Sequence, residues 1–443
     1  MPGPTPTPVA SDETLPDAVD VVVIGGGIIG AATALELAER GQKVLLAEKG
    51  EIGAEQSSRN WGWVRLSLRD PREIPLMIES IRIWEGLEAR VGRKLGYTKC
   101  GILFAAAGGR TQSGYETWTK HLEPFQIPYR LLQEGDFNDL LPGHRMAVTG
   151  GLYTAGDGRA EPQWAAPAIA EGARDQGAHV MTHCAVRGLD LSAGRVSGVF
   201  TEKGRVACDA VVLAGGAWSR LFAGNAGIDL PQLRVLNTVL RTTPVENGPE
   251  VSAWTDDVAI RKRADGGYTV ATGEGNVVDL VPDSFRLARQ FLPALRAEWK
   301  ALEFRLSTRF WTEARTRRRW AMDEISPFEE TRILDPEPVE RWCQASFKAA
   351  KRAFPALKDT QIVERWAGMI DVTPDAVPVI SEIETVPGFY MATGFSGHGF
   401  GIGPGTGRLM ADLVTGQAPV VDARALRFSR FHEDGPARLL SGV

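Results

Sequence analysis

The chain of 443 residues is 43% apolar and carries 50 lysines and arginines against 55 acids, a formal charge of −5. That length accommodates two sizeable cores, with about three as an upper bound, and the mildly acidic balance excludes the basic footprint of a nucleic-acid binder. Cys100, Cys184, Cys208 and Cys343 are scattered with no CxxC pair, which argues against a disulfide framework or a metal site and fits a reducing, cytoplasmic setting.

Residues 1–18 are rich in Pro, Thr, Ser and Asp without a hydrophobic period and read as a disordered tail. From Asp20 to Gly50 an apolar strand, a glycine turn, an alanine-bearing helix and a second strand follow in order. Gly25, Gly27 and Gly30 stand in GxGxxG spacing, and Glu48 closes the second strand eighteen residues beyond Gly30. Gly25 allows a tight turn, Gly27 lets backbone approach a pyrophosphate, and Gly30 lets the helix pack on the sheet. Ile28 and Ile29 open the helix whose N-terminus faces the phosphates. Glu48, followed by Lys49, offers a carboxylate to the adenosine ribose. Val19 to Ala38 is also an apolar run of about spanning length, but its glycines, Glu36 and the lack of Lys or Arg before Arg40 argue against a membrane span or signal peptide.

The loop that follows presents Ser57, Ser58, Arg59 and Asn60 as donors for phosphates or ribityl hydroxyls, and Trp61 and Trp63 as walls for a flat ring; a surface loop with core tryptophans is the alternative. Pro75 to Val91 reads as an amphipathic helix. Short strand-like runs from Gly96 mark a second domain. A helix from Pro162 to Ala173 and a strand from His179 to Val186 return the chain to the first. Ala207 to Leu213 is a buried strand ending in Ala214, Gly215, Gly216, Ala217 and Trp218, where a cofactor edge can pass. His179, His183 and Cys184 read as a solvated strand face rather than metal ligands. Strands at 234–243, 253–261 and 267–272 rebuild the second domain, and Asp283 to Trp320 is helical, with a basic run that reads as a solvated face. Strand signal then runs to Trp366, followed by a loop of small residues. The strand Phe389 to Thr393 leads into a helix with seven glycines before Leu409, a density that lets backbone lie against a flat ligand.

GGGIIG with Glu48, SSRNWGWVR, VVLAGGAWS, RWAGMIDVTPD and GFSGHGFGIGPGTG together resemble the FAD-dependent family of D-amino-acid oxidase, glycine oxidase and sarcosine oxidase. The resemblance implies an α/β fold: a discontinuous FAD-binding Rossmann domain of the glutathione-reductase type (19–95, 155–225 and 358–443) and a mixed-sheet α+β substrate domain (96–154 and 226–357, with an extra helical segment at about 283–320). It implies FAD held by Gly25, Gly27, Gly30, Glu48, Ser57, Ser58 and Asn60, by the Val186 backbone near adenine, by Gly215 along the cofactor edge, and by Gly397, His398, Gly399, Phe400 and Gly401 at the flavin pyrimidine. Gly368 stands where sarcosine oxidase-like relatives attach flavin through cysteine, so FAD is expected to be non-covalent. Ile370 stands where glycine oxidase-like relatives clamp the substrate carboxylate with arginine.

If the substrate has a carboxylate, another cation must take it. Arg65 comes first, with pairing to Asp70 as its structural alternative, and Arg261 second; His398 is a candidate to tune the ring or polarise substrate, and Tyr268 and Trp366 are candidate pocket walls. The implied reaction is oxidation of a small amine or amino acid at its C–N bond, with oxygen or an electron carrier as acceptor. An FAD-dependent hydroxy-acid or polyol dehydrogenase and a flavoprotein subunit of a larger amine oxidase are the alternatives, and homo-oligomerisation stays open.

Overall fold

Val21–Ile24 is a run of β-branched residues covered on both faces, as a central parallel strand requires. The computed structural model describes residues 3–273 and 275–433. In it this strand lies inside a six-stranded sheet of order 379–382, 389–393, 210–213, 21–24, 44–47, 179–181. Its neighbours Val44–Ala47 and Ala210–Leu213 pair with it in parallel, and Val379–Glu382 forms an antiparallel edge. The sheet therefore draws on three separated stretches of chain. Its carboxyl ends, Ile24, Ala47 and Leu213, open on one side, where ligands of such sheets bind.

The helix Ile28–Glu39 packs against Pro162–Asp175 and Gly399–Val414. Close approach demands small residues: a Cβ on Gly30 would lie 1.9 Å from the Gly25 carbonyl oxygen, and one on Gly407 would lie 2.5 Å from backbone carbon of Ala32. This corrects the reading of the late glycines. Gly403, Gly405 and Gly407 serve helix packing against Ile28, Ser80 and Ala32, and only the earlier Gly397, Gly399 and Gly401 reach a cavity.

A ten-stranded mixed sheet forms the second layer system. At its centre Leu233–Thr242 pairs antiparallel with Ile362–Val372. The strand expected to stop at Trp366 thus continues to Val372, because Ala367 to Val372 each find a partner in the long neighbouring strand, and pairing outweighs the weak propensity of Ala and Gly. The continuation carries Gly368, Ile370 and Asp371 to the same cavity.

Three other expectations change. The strand from His179 ends at Met181, since His183 takes φ 46°, and a new strand starts at Val186. The 283–320 stretch is not wholly helical: Leu302–Arg305 pairs in parallel with Asn276–Asp279 between the helices Ala288–Glu298 and Arg309–Arg315. This stretch exposes Phe285, Trp299, Leu306 and Trp311. The N-terminal segment, read as disordered, is laid along the first domain in the described residues 3–18. Thr7 N–H donates to the Gln163 carbonyl, Asp12 N–H to that of Val180, and Val9 is buried. The pattern-free sequence concealed this because the segment adds its backbone to existing structure and needs no period of its own.

Candidate active site

A cavity of about 630 Å³ opens over the carboxyl ends of the parallel strands and extends beneath the large sheet, a size typical of ligand sites. One end is lined by Gly25, Gly27, Ile28, Ile29, Glu48, Lys49, Ser57, Val186, Ala214, Gly215 and Trp218. Gly25 has φ 103°, and a Cβ there would meet the Ala214 carbonyl oxygen at 2.4 Å. The first helix offers its N-terminal amides here, with Ile28 N–H donating to Ser57 Oγ at 2.8 Å. Glu48 ties the two turns together: it accepts from Gly26 N–H and Gly50 N–H, each at 2.7 Å. Burial lifts its carboxyl above the ordinary value, opposed by Lys49 and these two amides. Glycine backbone, helix N-terminus and a buried acid at the second strand end fit the pyrophosphate and ribose of a dinucleotide.

Sequence reasoning missed how this end is braced. Glu55 accepts from Lys49 Nζ at 2.6 Å and Trp218 Nε1 at 3.0 Å, and Arg332, which also lines the cavity, pairs with Glu202. Arg59 is not a free phosphate donor. Its guanidinium is committed to Asp335 and to the Ala367 carbonyl, bolting the loop to the long strand. Ser58 is buried with Oγ on the Glu55 carbonyl and does not line the cavity. Asn60 lines it, but uses its amide to hold the turn at Gln56, Ser57 and Gly62. Gly30 serves packing, as described above.

The other end is lined by Trp61, Trp63, Arg65, Arg69, Asn237, Trp254, Gly368, Ile370 and the run Phe395 to Gly401. Trp61, Trp63, Trp254 and Phe104 form an aromatic box with ring centroids 4.9–6.0 Å apart. Arg65 lies over Phe104 and Trp254, at 5.4 and 5.8 Å from their centroids. Its guanidinium donates to the Ser67 carbonyl and has no ion-pair partner among the described residues. Asp70, its alternative partner in the sequence, pairs with Arg72 instead. Burial and neighbouring Arg69 press the Arg65 guanidinium well below its ordinary value, while Asp157 and Glu73 favour its charge.

Three candidates leave the site. Arg261 is buried in a pair with Glu161 at 2.8 Å and does not line the cavity, because the acid at the start of the Pro162 helix takes its charge. Tyr268 is fully buried, its hydroxyl on the Pro249 carbonyl. Trp366 also turns away, its Nε1 donating to the Arg59 carbonyl at 2.9 Å.

Arg69, Glu73, Asn237 and Trp254 were missed. Arg69 is signalled only by lying four residues after Arg65. It is 3% exposed, and its Nη1 has no hydrogen-bond partner among the described residues. Trp63 Nε1, also buried and lining the cavity, lacks an acceptor. His398 lines the cavity just before the helix Gly399–Val414, with Nδ1 3.3 Å from Glu73 Oε2. None of the four cysteines lines it.

A dinucleotide cradle joined to an aromatic, cationic chamber defines a flavin-dependent redox site. The chain belongs to the FAD-dependent oxidoreductase family DAO, whose profile matches residues 20–413. It is similar to an L-amino acid deaminase from Proteus myxofaciens, solved in complex with anthranilate: 34% identity, 98% of each chain covered, TM-score 0.93. Dimethylglycine dehydrogenase of Mus musculus matches at 24% identity over 95% of this chain and 45% of that one. Sarcosine oxidase subunit beta of Rhodobacter capsulatus matches at 26% over 94% of this chain and 89% of that one. The chain spans about half the length of the first of these curated relatives. Among the described residues no helix is long and apolar enough to cross a membrane, and no group of three or more His, Cys, Asp or Glu is placed to hold a metal ion.

Proposed function

We propose that the chain oxidises the C–N bond of an amino acid bearing an apolar or aromatic side chain. The observation that carries this reading is Arg65, a half-buried guanidinium with no ion-pair partner among the described residues, facing the cavity from the rings of Phe104 and Trp254. Such a charge is costly until an anion meets it, and a substrate carboxylate matches its fork geometry. Arg69 adds a second cation beside it, and the aromatic box supplies an apolar wall for the side chain. The name of the Proteus myxofaciens relative, and its complex with an aromatic carboxylate, agree with this choice.

FAD, when bound, accepts the electron pair of the substrate Cα–H bond. The residues orient that bond: Arg65 anchors the carboxylate, the tryptophans exclude water, and Asn237 and Ile370 close the chamber from the sheet side. Orientation of this kind supplies much of the acceleration in such reactions. The imine product is then hydrolysed by water. FAD is held non-covalently in this reading, since no cysteine reaches the cavity, and the four unpaired thiols agree with a cytoplasmic enzyme.

The test is an anaerobic flavin-bleaching screen over D- and L-amino acids, N-methyl amino acids, simple amines and 2-hydroxy acids. Bleaching by amino acids supports the proposal; bleaching by hydroxy acids alone replaces it with the C–O alternative. Acid precipitation should leave all the yellow colour in the supernatant.

A second reading, as the flavoprotein component of a larger assembly, draws on the exposed Phe285, Trp299, Leu306 and Trp311 and on the likeness to a sarcosine oxidase beta subunit. Light scattering on the purified chain, with turnover measured on the same fraction, separates the two. A monomer that turns over alone excludes the assembly.

A further inference from the structure

An amino acid enters at neutral pH as a zwitterion, and its ammonium nitrogen has no lone pair to assist loss of hydride from the adjacent carbon. A proton must therefore leave first. Resting on the reading of function above, we propose that His398 and Glu73 form the path that removes it. His398 faces the cavity, and behind it Glu73, at 0% exposure, closes off the imidazole from the start of the helix Ile74–Val91. Nδ1 lies 3.3 Å from Glu73 Oε2 and 3.4 Å from Oε1, and Oε2 has no hydrogen-bond partner among the described residues. A buried carboxyl with an unused oxygen is costly for a purely structural role, and no arginine forms an ion pair with it among the described residues.

The step balances without any redox partner. An ammonium N–H bond breaks and its proton passes to His398 Nε2. The Nδ1–H bond breaks and that proton passes to the Glu73 carboxylate, leaving a neutral imidazole in its other tautomer and a neutral carboxylic acid. The amine keeps the freed electron pair. His398 touches the substrate and is the catalytic residue; Glu73 acts through it and is a positioning residue.

The surroundings suit the two roles. Burial, with Arg69 and Arg65, holds His398 well below its ordinary value, so the imidazole passes a proton on rather than keeping it. Burial raises Glu73 to about 8, with Asp70 adding to the rise and Arg69, Arg65 and Arg72 opposing it. The remaining charges are distributed on every side. Asp70 is paired with Arg72, Asp375 from the turn after the long strand pairs with Arg72 and Arg430, and Asp157 is held by Leu66 and Ser67 amides. When a substrate carboxylate settles on Arg65, it cancels part of the positive field. Both His398 and Glu73 then bind protons more strongly at the moment one must be accepted.

The experiment is anaerobic stopped-flow reduction of the FAD-loaded enzyme at saturating amino acid from pH 6 to 10. The wild-type rate should rise as Glu73 ionises, with an inflection above about 8, since the bound carboxylate raises its value further. Glu73→Gln should be slower by roughly 10²-fold or more and lose that inflection. His398→Asn, which interrupts the path from the other side, should do the same and provides the answer if Glu73→Gln fails to fold. A second readout needs no turnover: benzoate binding, followed by tryptophan fluorescence, should weaken as pH rises through the same range in wild type and stay level in Glu73→Gln. A wild-type reduction rate flat across the range, or an inflection retained in either variant, overturns the relay while leaving amino-acid oxidation in place. Failure of every amino acid to reduce the flavin removes the functional reading and the relay with it.

Discussion

Arg261 is buried and Arg65 half-buried, and the walls that hold them treat positive charge in opposite ways. Arg261 meets Glu161 at 2.8 Å and also reaches Thr269 and the Ala160 carbonyl, so its charge is spent inside the scaffold even though its Nε has no hydrogen-bond partner among the described residues. The Glu161 carboxyl is held below its ordinary value despite a burial effect that opposes this, because Arg261 and Arg263 lie against it. Arg65 has aromatic faces and one carbonyl, and beside it Arg69 keeps an unsatisfied Nη1. The same contrast separates the two ends of the cavity. At the nucleotide end Lys49, Glu55, Arg332 and Glu202 are mutually paired, whereas the substrate end presents charge and hydrogen-bond donors without partners. Arg261 is ion-paired within the framework; Arg65 and Arg69, which have no ion pair among the described residues, face the cavity.

The largest effect expected from this contrast is on stability. Arg261→Ala should destabilise the protein by about 3–5 kcal/mol, since it strands a buried carboxylate, and chemical denaturation would register the loss. Arg65→Ala should leave the denaturation midpoint nearly unchanged and weaken carboxylate inhibitors by about 2–5 kcal/mol, read by flavin absorbance titration. Equal inhibitor affinity in wild type and variant would sink the clamp. Glu48→Ala removes the acceptor of two backbone amides at the nucleotide end and should cost FAD affinity by about 1–3 kcal/mol, seen as a lower flavin-to-protein ratio after gel filtration. Full flavin retention would show that the ribose contact is dispensable.

The smallest effect expected is pH-dependent. Glu329 is held at about 2, against an ordinary 4.5, by hydrogen bonds from Arg187 and Ser326 that outweigh burial. Its folded value is depressed, so its contribution is present above about 4.5 and is lost as pH falls towards 2. Glu329→Gln should therefore flatten the acid limb of the stability curve without changing activity at neutral pH. An unaltered acid limb would contradict the pairing with Arg187.

How far the sequence could be read follows the range of the forces involved. The turn at Gly25, the helix from Ile28 and the acid at Glu48 depend on neighbours within about thirty residues, and their glycine spacing, apolar period and strand-end carboxylate were all legible. Arg65 was legible through its place in a loop. Arg261 was misread because the acid that neutralises it stands 100 residues earlier. Glu73 and His398 escaped as a pair for the same reason, being 325 residues apart. The strand beyond Trp366 looked like a loop because its partner, not its own composition, keeps it extended.

By itself the sequence determined that a dinucleotide cradle exists and which backbone forms it, since turn geometry and helix initiation are local properties of the chain. Which buried charges are neutralised, and which face the cavity unpaired, was decided only by tertiary structure. Electrostatic pairing and desolvation act between side chains brought together from distant strands and helices, and residue order carries almost no record of those distances.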